Sequence, residues 1–196
     1  MEVENISEQQ IAKDIRANLE MILKENTWLL KQVDFNEVAT LVNDIKSAHH
    51  IFITAAGRSG FAMRSAAMRL MHLGLKVHFV GETTTPAILK GDLLIAASAS
   101  GTTSTIVRAA QKAKEMGAMV VAISTQEDSL LSGLADQVIL VPAAGKQDLE
   151  SSRSAQYAGS LFEQFLLLLT DSVFQSLWKL EGIPAAELWK RHANLE

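Results

Sequence analysis

No cysteine occurs in the 196 residues. Disulfides, zinc–thiolate centres and cysteine nucleophiles are therefore excluded. Long hydrophobic runs are missing as well. The apolar stretch Phe165 to Leu169 is bracketed by Glu163, Gln164 and Asp171, far short of the roughly 20 residues a membrane helix needs. There is no excess of basic charge: 18 Lys and Arg stand against 22 Asp and Glu, a net charge of −4. The basic residues are scattered rather than clustered, which argues against nucleic acid as a partner. The N-terminus is polar and acidic without a signal-peptide pattern, so the expected location is cytoplasmic. What remains is 48% hydrophobic and 20% charged, the balance of one globular domain.

The most informative stretch is Ser98-Ala99-Ser100-Gly101-Thr102-Thr103-Ser104-Thr105. It follows the apolar run Leu93 to Ala97 and precedes a helical pattern from about Ile106. Small residues let a backbone approach a ligand closely, and N–H groups at a helix start carry partial positive charge. Hydroxyls add donors without adding charge. A phosphate group is the natural guest. A second strand–loop–helix unit lies upstream, with Ile51 to Thr54 followed by Ala55-Ala56-Gly57-Arg58-Ser59-Gly60. Two such turns predict a phosphorylated small molecule held at the carboxyl ends of a parallel sheet. A single turn of this kind is explained equally well by capping and tight-turn chemistry. The two together favour phosphate.

Around these turns the elements alternate. Ser7 to Gln10 fits a capping box, and Ile11, Ile15, Leu19 and Ile22 recur at helical spacing, predicting a helix to about Lys31. Asp34 caps a second predicted helix with the stripe Val38, Leu41, Val42 and Ile45. Strands are predicted at His50–Ala55, Lys76–Val80, Leu93–Ala97, Met119–Ser124 and Gln137–Val141. Helices are predicted at Ser59–Leu73, from Ile106 to Gly117, at Leu130–Leu134, at Gln156–Leu180 and at Ala185–Arg191, with a loop over Pro142–Ala155. The expected fold is α/β: an open, doubly wound, five-stranded parallel sheet flanked by helices. One domain is expected over 1–196, with a helical extension over 1–48 and a C-terminal helix and tail over 156–196. The long helix near the C-terminus is apolar nearly all round, which predicts burial against a partner subunit.

Ser98, Ser100, Gly101, Thr102 and Thr103 form the candidate phosphate cradle, and Ser59 with the Gly57 to Gly60 backbone closes it from the neighbouring turn. Arg58 reads either as a ligand of substrate oxygens or as a solvated loop residue. Glu163 lies in the apolar helix, where burial would suit a general base. Its local sequence is also that of a polar surface stripe with Gln156, Ser160 and Gln164, and by itself favours that plainer reading. His192 has a position open to acid–base chemistry, although a histidine near a chain end is more often simply solvated. Glu82, after a strand end, is a further carboxylate on the same face of the sheet. No spacing of side chains suggests a metal site.

The pair Gly57-Arg58-Ser59-Gly60 and Ser98-Ala99-Ser100-Gly101-Thr102-Thr103 on this alternation resembles the sugar isomerase (SIS) domain. Within it, Ala67 to Gly74, Gly81 to Ile88, Gly159 to Gln164 and Arg191 to Glu196 resemble the 6-phospho-3-hexuloisomerase family. The resemblance spans nearly the whole chain and is weakest over the N-terminal helix. It implies interconversion of D-arabino-3-hexulose 6-phosphate and fructose 6-phosphate in the ribulose monophosphate pathway of formaldehyde fixation. It also implies no metal or organic cofactor, no nucleic acid or membrane partner, and a homotetramer with sites near subunit interfaces. Glu163 becomes the implied base and His192 the implied proton-transfer partner, in its own or a neighbouring subunit's site. Some relatives carry Gly at Ala55 and Ala99 and Glu at Thr102, so Thr102 is assigned to phosphate binding alone. The competing readings are another phosphosugar isomerase of the same domain, or a non-catalytic phosphosugar sensor. An arabinose 5-phosphate isomerase usually has a further regulatory domain, and a sensor a fused DNA-binding domain, which this sequence is not expected to accommodate.

Overall fold

A computed structural model describes residues 6–145 and 154–195. The described elements are α1 (Glu8–Leu30), α2 (Phe35–Ser47), β1 (Ile51–Ala55), α3 (Gly57–His72), β2 (Val77–Phe79) and β3 (Leu93–Ala97). They continue with α4 (Ser104–Glu115), β4 (Met119–Ser124), α5 (Leu130–Leu134), β5 (Gln137–Leu140), α6 (Ser160–Glu181) and α7 (Ala185–Trp189). All strand pairs are parallel, in the order β2-β1-β3-β4-β5. The expected five-stranded parallel sheet is present, with helices on both faces.

The strand sequences explain the two faces. Side chains alternate along a strand, so Ile51, Ile53, Leu93, Ile95, Val121 and Ile123 enter one core with residues of α1, α2, α3 and α6. Phe52, Leu94, Ala96, Val120 and Ala122 enter the other core, beneath α4 and α5. Both sides of the sheet are dry, which is why its strands read as continuous apolar runs.

β1 and β3 are neighbours, but their following helices lie on opposite faces. That is a topological switch point, and it opens a crevice at the carboxyl ends of these two strands. Both sequence-predicted loops empty into it.

The long helix begins later than its sequence pattern suggests. It starts at Ser160 rather than Gln156, because Ala158 and Gly159 adopt positive φ angles of 48° and 79° and break the helical path. Its last described neighbour, α7, ends at Trp189 rather than Arg191. Residues 146–153 of the expected loop lie outside the described residues. The α1 stripe also differs from a core stripe. Ile11, Ile15 and Leu19 are exposed in the single chain, and only Asn26 and Leu29 of this helix are buried.

Candidate active site

The crevice holds a cavity of about 740 Å³. Its walls are the loops after β1, β3 and β4, together with Ala143 and Gly145 beyond β5. Ser59, Ser98, Ser100, Thr102 and Thr103 all line it, as does Gly57. The two loops singled out in the sequence are therefore brought together. No Lys or Arg is among the described lining residues.

Helix ends supply the positive potential instead. Side chains cap α1, α2 and α5, through Ser7, Asp34 and Ser129. The two helices that point at the cavity differ. Ala56 and Thr103 occupy the N-cap positions of α3 and α4, and neither makes a side-chain capping hydrogen bond. Uncapped N–H groups of two helices then face one cavity, a ready-made anion site. The Thr103 hydroxyl instead shares a 3.1 Å hydrogen bond with the buried Ser98. The Thr102 N–H and hydroxyl both donate to Ser100 Oγ, at 3.3 and 3.0 Å. These contacts pre-order the hydroxyls and lower the entropy lost on binding.

Gly101 is the residue that permits this loop. Its φ is +63°, and a Cβ there would collide with the Ser129 side chain. The Gly101 carbonyl accepts from the Leu131 N–H at 3.0 Å. The Ala99 carbonyl accepts from the Thr125 N–H and hydroxyl, at 3.2 and 2.7 Å. The segment after β4 thus holds the Ser98 loop from behind. Thr125, Gln126, Asp128 and Ser129 also reach the cavity, and sequence reasoning missed all four. The signal was available: they directly follow a strand end, where a parallel sheet presents its ligands.

Arg58 lies between Gly57 and Ser59 and turns toward α6. Its guanidinium donates to Ser160 Oγ at 3.0 Å and pairs with Glu163 at 3.1 Å. Glu163 is only 7% exposed, whereas Arg58 is 60% exposed. Glu163 is therefore no member of a solvated stripe. A buried carboxylate is tolerated when a cation meets it; that cation, Arg58, lies between two lining residues, Gly57 and Ser59, although neither Arg58 nor Glu163 is itself among the described lining residues of the cavity. Carboxylate, guanidinium and uncapped helix ends converge at the α3 N-terminus.

The other two predicted residues lie elsewhere in the single chain. Glu82 accepts from Arg64 of α3, whose guanidinium sits 3.9 Å from the Phe79 ring centroid. His192 stacks on His72 with ring centroids 4.0 Å apart, and packs tilted against Trp189 at 4.6 Å. His72 is the last residue of α3. At 1.5 Å per residue, that is about 22 Å from Gly57. One chain therefore does not bring His192 to Glu163. His72 is deeply buried, and its pKa is lowered by that burial and by the nearby His192 and Arg69.

A family model of the SIS domain matches residues 44–168. The chain belongs to the SIS-domain family. It is 52% identical to a 3-hexulose-6-phosphate isomerase of Mycobacterium gastri, over 95% of this chain and 94% of that one. It is 41% identical to the enzyme of the same name from Bacillus subtilis, over 82% and 87% of the two chains. A crystal structure from Methanococcus jannaschii, for which a function of 3-hexulose-6-phosphate isomerase was inferred, aligns with a TM-score of 0.79. It is 35% identical, covering 92% of this chain and 99% of that one. The SIS match stops short of α1 and most of α2, as well as the end of α6 and the tail. Among the described residues, no helix is long and apolar enough to cross a membrane, and no group of three or more His, Asp or Glu could hold a metal ion.

Proposed function

We propose that the protein is a 3-hexulose-6-phosphate isomerase, interconverting D-arabino-3-hexulose 6-phosphate and fructose 6-phosphate. The observation that carries this is the pairing of buried Glu163 with exposed Arg58 of the first turn of α3, next to a hydroxyl-lined cavity. The similarity to the Mycobacterium gastri and Bacillus subtilis enzymes supports the substrate.

The phosphate sits in the Ser98–Thr103 loop, on the N–H groups of α3 and α4. Its binding energy holds the reacting carbons against the base. From the hexulose, Glu163 removes the proton on C2 and leaves an enediolate spanning C2 and C3. Transfer of the hydroxyl proton from the C2 oxygen to the C3 oxygen, with return of the abstracted proton to C3, gives fructose 6-phosphate. Arg58 stabilises the developing negative charge on the enediolate oxygens. Gln126 and Asp128 face the open-chain hydroxyls from the β4 side.

His192 serves as the proton-transfer partner only across a subunit interface, since its own Glu163 is out of reach. The assembly that fits is a homotetramer, with the exposed α1 stripe and exposed Leu167 and Leu168 of α6 covered by other copies. In metabolism the reaction is the second step of formaldehyde fixation by the ribulose monophosphate route.

The test is direct. Purified protein is mixed with fructose 6-phosphate, and the 3-hexulose is followed by ¹³C nuclear magnetic resonance. Appearance of the 3-keto sugar is the expected result. Tight binding without turnover would make the protein a phosphosugar sensor.

A further inference from the structure

Helix α6 is entered through a strained turn. Ala158 is the one non-glycine residue with positive φ among the described residues, and Gly159 follows it in the same region. A side chain with a Cβ disfavours that conformation. No side chain caps α6. Yet its first turn carries Ser160 and Glu163, which must meet Arg58 at hydrogen-bond distance. An unsupported strained turn would not hold a base to the tolerance that proton abstraction demands.

The support comes from α1. The Glu25 carboxylate accepts the Ala155 N–H at 2.7 Å, the Ser154 hydroxyl at 2.7 Å and the Gln156 side-chain amide at 2.8 Å. The Gln156 amide oxygen accepts from Gln164 at 2.7 Å, and the Gln164 oxygen accepts from Asn26 at 3.1 Å. Asn26 is buried and also donates to the Ile22 carbonyl at 2.9 Å. A closed relay thus runs from Glu25 through Gln156 and Gln164 back to Asn26, and Gln164 is the chain neighbour of Glu163. Burial alone would raise the Glu25 pKa, but the hydrogen bonds from Gln156, Ala155 and Ser154 outweigh it and leave it lowered. The turn is built around the ionised form.

We propose that Glu25 is a positioning residue for the isomerisation: its carboxylate clamps the turn before α6 and so sets Glu163 against Arg58 and the substrate. This rests on the reading of Glu163 as the base. Glu25 lies outside the SIS match, so α1 contributes to the site as well as to the surface.

Glu25→Gln keeps size but turns an amide donor toward three donors. The expected result is a fall of about tenfold in kcat, with KM for fructose 6-phosphate within about twofold, as for loss of a contact that matters only in the transition state. A merely structural role would not produce that split. In a Glu163→Gln background the same change should have no further effect, because coupled residues are not additive. Wild-type kcat in Glu25→Gln, a rise confined to KM, or full additivity with Glu163→Gln would overturn the proposal. If Glu25→Gln fails to fold by circular dichroism, Gln156→Ala carries the test, with a smaller fall in kcat supporting it and an unchanged kcat overturning it. Near-normal turnover in Glu163→Gln alone would overturn the base assignment; its loss there, with Glu25→Gln unaffected, would overturn only the role of Glu25.

Discussion

The two ends of α3 are built to opposite specifications. At its C-terminal end the backbone satisfies itself. Leu75 and Gly74 N–H groups donate back to the Leu70 and Met71 carbonyls, a Schellman closure that Gly74 permits with φ +90°. The His72 carbonyl accepts from Arg191 at 2.9 Å, the His192 ring stacks on His72, and Trp189 packs against His192. At the N-terminal end Ala56 offers no cap, and the helix opens on the cavity. The same helix therefore spends its polar groups on stability at one end and leaves them for a ligand at the other. A helix end without a side-chain cap costs roughly 0.5–2 kcal/mol relative to a capped one. Two such ends at one cavity mark where function was kept over stability.

The sharpest way to break this contrast is to remove the proposed base at the open end. Glu163→Gln should lower kcat by about a hundredfold to ten-thousandfold, the usual contribution of general base catalysis, while phosphate binding is preserved. Steady-state kinetics with fructose 6-phosphate checks it. Gly101→Ala should follow, since its methyl would overlap Ser129 and its φ suits glycine. A fall of about a hundredfold in kcat/KM is expected from a displaced phosphate loop. Ser100→Ala and Thr103→Ala should each raise KM by about tenfold to a hundredfold, since a hydrogen bond to a charged group is worth roughly 1.5–3 kcal/mol. Unchanged KM in both would remove the cradle from the account.

The closed end has its own test. If it reaches a neighbour's site, Glu163→Gln and His192→Gln proteins, each inactive, should complement when unfolded together and reassembled. About a quarter of the sites then take both native residues. No recovery would contradict a shared site. The smallest effect concerns stability. Burial first, then neighbouring positive charge, lowers the pKa of His72; burial and His50 do the same for His78. Below the ordinary imidazole range near pH 6.5, the unfolded chain binds protons that the folded chain refuses. Stability should therefore fall as pH drops through that range, and chemical denaturation at pH 7.5 and 5.5 would show it.

Much of this was legible in advance because the two cues are local. Leu93–Ala97, Met119–Ser124 and Leu130–Leu134 match their predicted bounds, since continuous apolar runs and a capping serine mark them. The Ser98 loop was legible because its composition exceeds what a cap needs. What escaped depends on contacts distant in sequence. Gln156 keeps the helical spacing of Ser160 and Gln164, but Glu25, far away on α1, holds it in a turn. Glu163 reads in the sequence as part of a polar stripe, and only the fold buries it against Arg58, 105 positions earlier. Thr125 and Ser129 follow a strand end that the sequence does mark, but their hold on the Ser98 loop exists only once β4 lies beside β3.

The central claim is that Glu163 moves a carbon-bound proton of a phosphosugar. Incubation with fructose 6-phosphate in deuterium oxide, followed by proton nuclear magnetic resonance of the C3 position, tests it most directly. The native protein should exchange that proton, and Glu163→Gln should lose exchange in parallel with turnover. Exchange at the native rate in Glu163→Gln would contradict the account.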